Sequence, residues 1–352
     1  MVRDALKTIS KTQPADLNRR PTTAHEVARL AGVSQSAVSR VFTPGASVSE
    51  ETRKKVTIAA KRLGYRPNFS ARALITGRSN IIGVAVPGVD NPFYADALNA
   101  LSLAFAARGY RALLFSVDPS VGTDPILEEV LRYRVDALVL ISTSASSHFA
   151  EECTEVGLPV VMFNRKADSG SGSSVVGDNV VGAGKLAAFL LHGGHRRFAF
   201  VAGLEEASTS RDREKGYLEY LASKEVYNVS REVGNFFPAD TVKAVRSLMK
   251  KTAPPDAIFC ANDQMAMVAM DIVRFEFAKT PGVDISIVGF DDIAMASWPS
   301  YALTTYSQPI ERMVEQTVVI LDTQLKNRSA DTSHHVTQGE LIVRTSARRA
   351  SA

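Results

Sequence analysis

Polar and aromatic side chains that suit a small polyol come after several apolar runs of the sequence. The residues concerned are Asn91, Phe93, Asn164, Arg213, Asn262 and Asp291. Carboxylates and amides bind hydroxyl groups in pairs, arginine donates to them, and an aromatic ring stacks on the apolar face of a sugar. The pattern predicts a polyol site, with one alternative: Asn and Asp after strands also cap the helices that follow.

A second group could read DNA. Gln35, Ser36 and Arg40 fall on one side of a short predicted helix, opposite its apolar residues. Arg recognises guanine, Gln recognises adenine, and Ser adapts to several base edges in the major groove. Taken singly, each could equally be an ordinary polar surface residue. Whether they read DNA therefore depends on the helices predicted around them.

The predicted helix with these residues is the second of a closely spaced pair. Thr23 and Glu26 form the pattern of a capping box, and Gly32 ends the first helix. Ser34 is a suitable N-cap for the second helix. The residues predicted to face inward in the pair are Val27, Leu30, Ala31, Ala37, Val38 and Val41. Two short helices joined by a tight turn containing glycine are typical of a helix-turn-helix.

A third predicted helix completes this head. Ser49 caps it, two glutamates lie in its first turn, and Gly64 ends it. Its inward face is predicted to consist of Val56, Ala59, Ala60 and Leu63. The head is therefore an all-α domain.

The charge of the 352-residue chain is concentrated in the same region. Residues 1–78 contain 15 Lys and Arg against 5 Asp and Glu, whereas the rest contains 26 against 32, within an overall net charge of +4. A basic head on a mildly acidic body predicts contact with a polyanion.

The body alternates short apolar runs with amphipathic stretches. The first block of predicted strands is 81–86, 112–115, 137–141 and 160–163, and the second is 198–201, 235–237, 257–260 and 285–288. Near-continuous apolar strands separated by helices predict parallel sheets covered on both faces. We expect two α/β lobes that divide near Phe163, with a Gly/Ser loop at 169–174. Ligands of such sheets bind beyond the carboxyl ends of the strands.

The head and body together resemble the lactose-repressor (LacI/GalR) family. In the head the resemblance rests on VARLAGVSQSAVSRVF, VSEETRKKV and LGYRPNFSARAL, and in the body on VDNPFYADALNAL, RDREKGY, PPDAIFCANDQMA, SIVGFDDIAMA and LTTYSQPIERM. It extends over residues 23–345, including a closing strand at 340–344. It implies a DNA-binding transcriptional regulator that acts as a repressor, with a two-lobed body like that of periplasmic binding proteins.

For the head, the resemblance implies particular DNA contacts. The helix opening at Ser34 becomes the recognition helix, with base contacts from Gln35, Ser36 and Arg40. Backbone contacts are implied for Ser34, Ser39 and Asn68. A hinge helix follows, in which Ala71 and Leu74 meet the DNA and Leu74 is wedged into the minor groove.

For the body, the resemblance implies effector contacts from Asn91, Phe93, Asn164, Arg213, Asn262 and Asp291. It also implies a homodimer on a pseudo-palindromic operator, and we expect a dimer rather than a tetramer. The expected domains are a flexible extension (1–21), the helix-turn-helix (22–66), the hinge and linker (67–79), the effector and dimerisation domain (80–345) and a C-terminal tail (346–352).

The sequence favours two other function classes less. An enzyme is not favoured, since no P-loop, GxGxxG, HExxH or GxSxG motif is present in a suitable context. No metal or cofactor is expected beyond the small-molecule effector, because Cys153 and Cys260 suit buried positions and His334 and His335 suit a solvated loop. A sugar-binding protein without a regulatory role is the alternative, but it would need a signal peptide and no basic head. We therefore expect a cytoplasmic protein without a membrane segment.

Overall fold

The computed structural model describes residues 20, 22–43, 45–66, 78–118, 121, 123–143, 146–166, 172–327 and 332–350. The chain divides into two compact units, Met1–Gly77 and Arg78–Ala352.

The first unit contains three helices, α1 (Ala24–Ala31), α2 (Gln35–Val41) and α3 (Glu50–Leu63). Thr23 and Glu26 form the predicted capping box, and Ser34 caps α2 through its side chain. Gly32 and Gly64 end α1 and α3 in the left-handed conformation, at φ 66° and 64°, which glycine adopts without a Cβ penalty. The local signals therefore determine where each helix begins and ends.

The core of this unit is small and nearly as predicted. Its buried residues are Val27, Ala28, Val38, Val41, Val56, Ala59 and Ala60. The prediction for Leu30 was wrong, because its side chain is 45% exposed and Ala28 takes the inward position. Ala31 and Leu63 are half-buried and pack against this cluster, and Ala37 is also half-buried.

The second unit contains two parallel sheets. The first is ordered β11-β5-β4-β3-β1-β2 and the second β7-β6-β8-β9. The strands are β1 (Ile81–Val86), β2 (Arg111–Ser116), β3 (Ala137–Ile141), β4 (Val160–Phe163), β5 (Ser173–Gly177), β6 (Phe198–Ala202), β7 (Val229–Val233), β8 (Ala257–Cys260), β9 (Ser286–Val288), β10 (Thr305–Tyr306), β11 (His334–Thr337) and β12 (Leu341–Ile342). β10 and β12 form a separate antiparallel pair. The expected fold class, a helical head followed by two α/β lobes with parallel sheets, is confirmed.

Helices connect these strands, and none of those in the described ranges is long and apolar enough to cross a membrane. They are α4 (Pro92–Ala107), α5 (Asp124–Tyr133), α6 (Ser147–Glu155), α7 (Asn179–His192), α8 (Ser208–Ala222), α9 (Pro238–Met249), α10 (Asp263–Phe275) and α11 (Ile310–Asn327). A 3₁₀ turn, Ala294–Ser297, follows β9.

The chain passes between the two lobes three times. It leaves the first sheet after β5 and enters α7, returns after β10 to place α11 and β11 in the first lobe, and crosses again to β12. The first sheet thus continues well beyond Phe163, and the boundary expected there lies after Gly177 instead. Ser173 and Ser174, predicted to be in a loop, are buried in β5.

Two further strand predictions need correction. Residues 235–237 form a turn, with Asn235 and Phe236 at positive φ, and the edge strand β7 precedes them. His334 and His335 were expected in a loop but lie in β11, which pairs with β5. The predicted closing strand is shorter than expected, and residues 346 and 347 are buried against the second lobe.

Candidate nucleic-acid interface and ligand site

The exposed side of α2 consists of the residues predicted to read DNA. Gln35, Ser36, Ser39 and Arg40 are all exposed. Ser34 Oγ accepts a hydrogen bond from the backbone N–H of Ala37 at 3.2 Å. Ser34 therefore also sets the start of the helix. Of the other four exposed side chains, Ser36 Oγ lies 2.9 Å from Ser34 Oγ, and Arg40 Nε donates to the backbone oxygen of Ser36 at 3.5 Å.

The opposite side of α2 is fixed to the head. Val38 is fully buried and Val41 is 7% exposed. Arg53 of α3 donates to the backbone oxygen of Val41 at 3.2 Å. These contacts hold α2 in one orientation, as a recognition helix requires. Asn68, Ala71 and Leu74 lie outside the described residues, so their predicted contacts stay predictions.

A buried arginine forms the centre of the site in the second unit. Arg213 is 2% exposed and lies within α8. Its Nε donates to Asn179 Oδ1 at 2.8 Å, its Nη1 to the backbone oxygen of Ala261 at 2.6 Å, and its Nη2 to Asp291 Oδ1 at 3.1 Å. The guanidinium carbon lies 3.9 Å from the centre of the Phe290 ring. The three hydrogen bonds and the ring contact together fix the orientation of the Arg213 guanidinium.

Asp291 is the anionic partner in this network. Its Oδ1 also accepts from Gln308 Nε2 at 2.8 Å, and its backbone adopts φ 124°, a conformation that side-chain-bearing residues rarely take. Burial raises the pKa of Asp291, and the adjacent Arg213 opposes that rise. A strained backbone held by several hydrogen bonds is a feature of binding sites.

The first lobe contributes residues at the end of β4. Asn164, at φ 67°, donates from Nδ2 to Ser142 Oγ at 2.9 Å, while its Oδ1 is buried without a hydrogen-bond partner. Arg165 is 7% exposed, and its Nε is likewise unpartnered. Tyr94 is half-buried, and the charges of Arg165 and of Asp291 in the second lobe both act on the pKa of its phenol, which burial raises. The end of β4 therefore lies close to Asp291, across the boundary between the two lobes.

Three other predicted site residues have mainly structural contacts. Asn91 Oδ1 accepts from the N–H of Phe93 at 3.0 Å, and Asn262 Oδ1 accepts from that of Met265 at 2.9 Å. Both therefore cap helices, which was the alternative for such residues. Phe93 is 1% exposed in the core, whereas its half-buried neighbour Tyr94 presents an aromatic ring nearer the cleft. Their ligand contacts stay predictions.

Direct contacts connect the two lobes beside the cleft. Gln264 Nε2 donates to the backbone oxygen of Asp90 at 3.2 Å. The Lys166 N–H donates to Ser208 Oγ at 3.0 Å, and its Nζ lies 2.8 Å from Asp212 Oδ2. The strand ends of both lobes are thus in contact, and a bound ligand would be enclosed by both.

The three crossover segments are tied together by one buried tyrosine. Tyr306 Oη donates to the backbone oxygen of Gly339 at 2.7 Å and lies 3.0 Å from Asp178 Oδ2. The N–H of Gly339 donates to Asp178 Oδ1 at 3.1 Å. Sequence reasoning named none of these residues as functional, nor Asn179 and Gln308. The sequence feature that could have indicated them is a polar residue in each segment that joins the lobes.

The described residues contain no group of three or more His, Cys, Asp or Glu able to hold a metal ion. His334 Nδ1 lies 2.9 Å from Ser174 Oγ, and His335 Nε2 lies 3.0 Å from Ser333 Oγ. Cys153 and Cys260 are buried free thiols, as expected. These side chains have structural roles.

Comparison with known proteins matches both units. The family model described as bacterial regulatory proteins, lacI family, matches residues 23–68. The model described as a periplasmic binding protein-like domain matches residues 187–347.

Curated relatives match along most of their length. The HTH-type transcriptional regulator CelR of Thermobifida fusca is 30% identical over 93% of this chain and 99% of its own length. The probable HTH-type transcriptional repressor ExuR of Bacillus subtilis is 29% identical over 83% of this chain and 88% of its own. The ribose operon repressor of Escherichia coli is 31% identical over 85% and 92%, respectively.

Solved structures of regulators with the same two-part architecture superimpose on this chain. The lac repressor dimer bound to operator and the anti-inducer ONPF superimposes with a TM-score of 0.83 at 25% identity, covering 94% of this chain and all of that one. The CelR–cellobiose complex superimposes with a TM-score of 0.70 at 28% identity, covering 93% of this chain and all of that one.

Proposed function

The chain belongs to the LacI family of bacterial regulatory proteins, and we propose that it represses transcription by binding an operator with an affinity that a sugar or sugar derivative controls. It is a DNA-binding regulator, not an enzyme. We further propose that it acts in the cytoplasm as a homodimer on a pseudo-palindromic site, since paired heads match paired half-sites.

The observation that carries the effector proposal is the buried Arg213–Asp291 pair. Arg213 and Gln308 both donate to Asp291 Oδ1, and no described residue donates to Oδ2. That oxygen can accept from a ligand hydroxyl. Arginine carries five N–H donors, of which three are used here, so Arg213 can also donate to the same ligand. A carboxylate and a guanidinium side by side suit two neighbouring hydroxyl groups of a sugar.

The cleft offers complementary groups from the other lobe. Asn164 Oδ1 is an unpartnered acceptor, and Tyr94 supplies an aromatic ring. We propose that the ligand binds between these residues and the Arg213–Asp291 pair, with Asn91, Phe93 and Asn262 lining the site. A ligand held by both lobes changes their relative stability in the open and closed arrangements, and such coupling is typically ~1–3 kcal/mol.

The DNA contacts are proposed on the exposed side of α2. Gln35, Ser36 and Arg40 read base edges, while Ser34 and Ser39 lie next to phosphates. Asn68, Ala71 and Leu74 are proposed to extend the contact along the hinge into the minor groove. The net positive charge of the head supplies sequence-independent attraction.

The proposal is tested by selecting bound sequences from a random double-stranded DNA pool with the full-length protein. We expect a palindromic motif whose affinity falls steeply with salt. The selected site is then titrated with a panel of neutral and anionic sugars, and one compound should change its affinity. No enriched motif, with sugar binding still measurable, would refute the regulator and support a sugar-binding protein without a regulatory role.

A further inference from the structure

Arg165, which is not among the ligand contacts proposed above, is a buried cation, and no described residue forms an ion pair with it. It follows β4 and is 7% exposed. Its Nε has no hydrogen-bond partner, and no described residue forms a hydrogen bond or ion pair with its guanidinium. Arg213, at a similar depth, instead has three hydrogen bonds and pairs with Asp291.

The surroundings of Arg165 do not neutralise it. Burial lowers the pKa of Arg165, Tyr94 and Glu206 oppose this, and Arg211 and Arg213 lower it further. Glu206 is exposed and forms no ion pair with it. Arg213 is already neutralised by Asp291. No described carboxylate therefore forms an ion pair with the guanidinium of Arg165.

An uncompensated buried charge is costly, and proteins keep one where a ligand supplies the opposite charge. Arginine is suited to this because its planar guanidinium binds carboxylate or phosphate oxygens through two parallel hydrogen bonds. The neighbouring Asn164 has a buried Oδ1 that also lacks a partner. It accepts only from a donor such as a hydroxyl group.

We propose that Arg165 binds an anionic group of the effector, so that the ligand is a hydroxylated compound carrying a carboxylate or a phosphate. This inference rests on the proposed function, since it names the ligand class of the same cleft. Arg213 and Asp291 then hold hydroxyl groups, and Arg165 selects for the anion.

The first test needs no ligand. In the free full-length protein, Arg165→Met removes an unpaired buried charge and keeps much of the side-chain volume. Its unfolding midpoint should rise by about 2 °C. Arg132→Gln, at an exposed position of α5, serves as the matched control and should leave the midpoint unchanged. A lower midpoint for Arg165→Met would mean that Arg165 stabilises the fold, and would overturn the inference.

The second test uses inorganic phosphate and acetate at constant ionic strength. Both the unmodified protein and Arg132→Gln should be stabilised in a saturable way by at least one of these anions. Arg165→Gln should bind that anion roughly 10–100-fold more weakly, as expected for a lost charge-assisted hydrogen bond. Equal stabilisation of all three proteins, or of none, would refute an anion site at Arg165.

Glucose, glucuronate and glucose 6-phosphate then distinguish the two anion sources, with release of the selected operator as the readout. If a neutral sugar releases DNA equally well from the unmodified protein and from Arg165→Gln, this inference fails while the proposed function stands. If no DNA sequence is selected at all, the proposed function fails, whatever the anion tests show.

Discussion

Replacing the buried Arg213 should lower the stability of the second unit. In Arg213→Met, Asp291 keeps its hydrogen bond from Gln308 but loses its cationic partner, and both Asn179 Oδ1 and the backbone oxygen of Ala261 lose a donor. Removing one member of a buried ion pair costs about 3–5 kcal/mol. For a unit of this size each kcal/mol lowers the unfolding midpoint by about 2 °C, so we expect a fall of about 6–10 °C.

The matched control is Arg246→Met. Arg246 forms a shorter ion pair with Glu276, at 2.7 Å, but both side chains are well exposed. Exposed pairs contribute little, so the midpoint should stay close to that of the unmodified chain. Thermal unfolding followed by circular dichroism measures both variants under the same conditions.

A double variant separates the ion pair from the loss of packing. Arg213→Met combined with Asp291→Leu removes both charges, and its midpoint should lie above the value obtained by adding the two single effects. Additive effects, or a fall for Arg213→Met no larger than that for Arg246→Met, would refute the conclusion that the pair is buried and coupled. None of these three proteins with altered Arg213 or Asp291 should respond to the effector.

The other predictions concern separate parts of the chain. Arg40→Ala should weaken the free energy of binding to the selected operator by ~1–3 kcal/mol and relax base specificity at one operator position. Arg62→Ala, at an exposed position, should instead weaken binding to all DNA sequences equally. Competition binding with operators that differ by a single base distinguishes these two effects. A Cβ at Gly216 would overlap the backbone of α7, whereas one at Gly184 of the same helix pair has space, so Gly216→Ala should lower the unfolding midpoint and Gly184→Ala should not. Burial raises the pKa of Asp263 to about 7, so the folded state binds more protons than the unfolded state from about pH 4 to 7, and stability should fall as pH rises through that range. Asp263→Asn should show a smaller fall in midpoint between pH 5 and 8, and an unchanged fall would contradict this assignment.

The helices of the head were predictable because their limits depend on neighbouring residues. A capping side chain such as Ser34 or Ser49 bonds an N–H three residues further on, and Gly32 and Gly64 end their helices through their own backbone conformation. Leu30 was mispredicted because the helical spacing alone allowed either Leu30 or Ala28 to face inward. Packing of α1 against α2 and α3 determines that Ala28, and not Leu30, is buried.

The strands that sequence reasoning missed depend on distant residues. Ser173 and Ser174 look like part of a loop, yet in β5 they are hydrogen-bonded to Gln324 and His334, more than 150 residues away. β7, with an exposed arginine and a half-buried glutamate among its five residues, lacks the apolar run typical of a buried strand because it lies at the edge of its sheet. Neither position is encoded in local hydrophobicity.

The same distinction explains what could be predicted of the ligand site. Arg213 and Asp291 were chosen from their places after predicted strands, and the structure places them 3.1 Å apart. Asn179 and Gln308 were missed because they lie on segments that join the lobes, whose paths cannot be derived from strand periodicity. Arg165 was visible after a strand, but only its burial without a partner makes it informative.

The position of the missed residues bears on how a ligand would act on the lobes. Asn179 binds Arg213, and Gln308 binds Asp291, so each member of the buried pair is attached to a different crossover segment. Lobe rotation in such folds is absorbed by backbone changes in a few connecting residues. A ligand that forms hydrogen bonds with Asp291 or Arg213 therefore alters the hydrogen bonds of the segments about which the lobes turn. By contrast, the Lys166–Asp212 pair between the lobes is partly exposed and contributes little to closure. We therefore propose that a ligand held by Arg213 and Asp291 acts on the balance between open and closed lobes through the two crossover segments that contain Asn179 and Gln308.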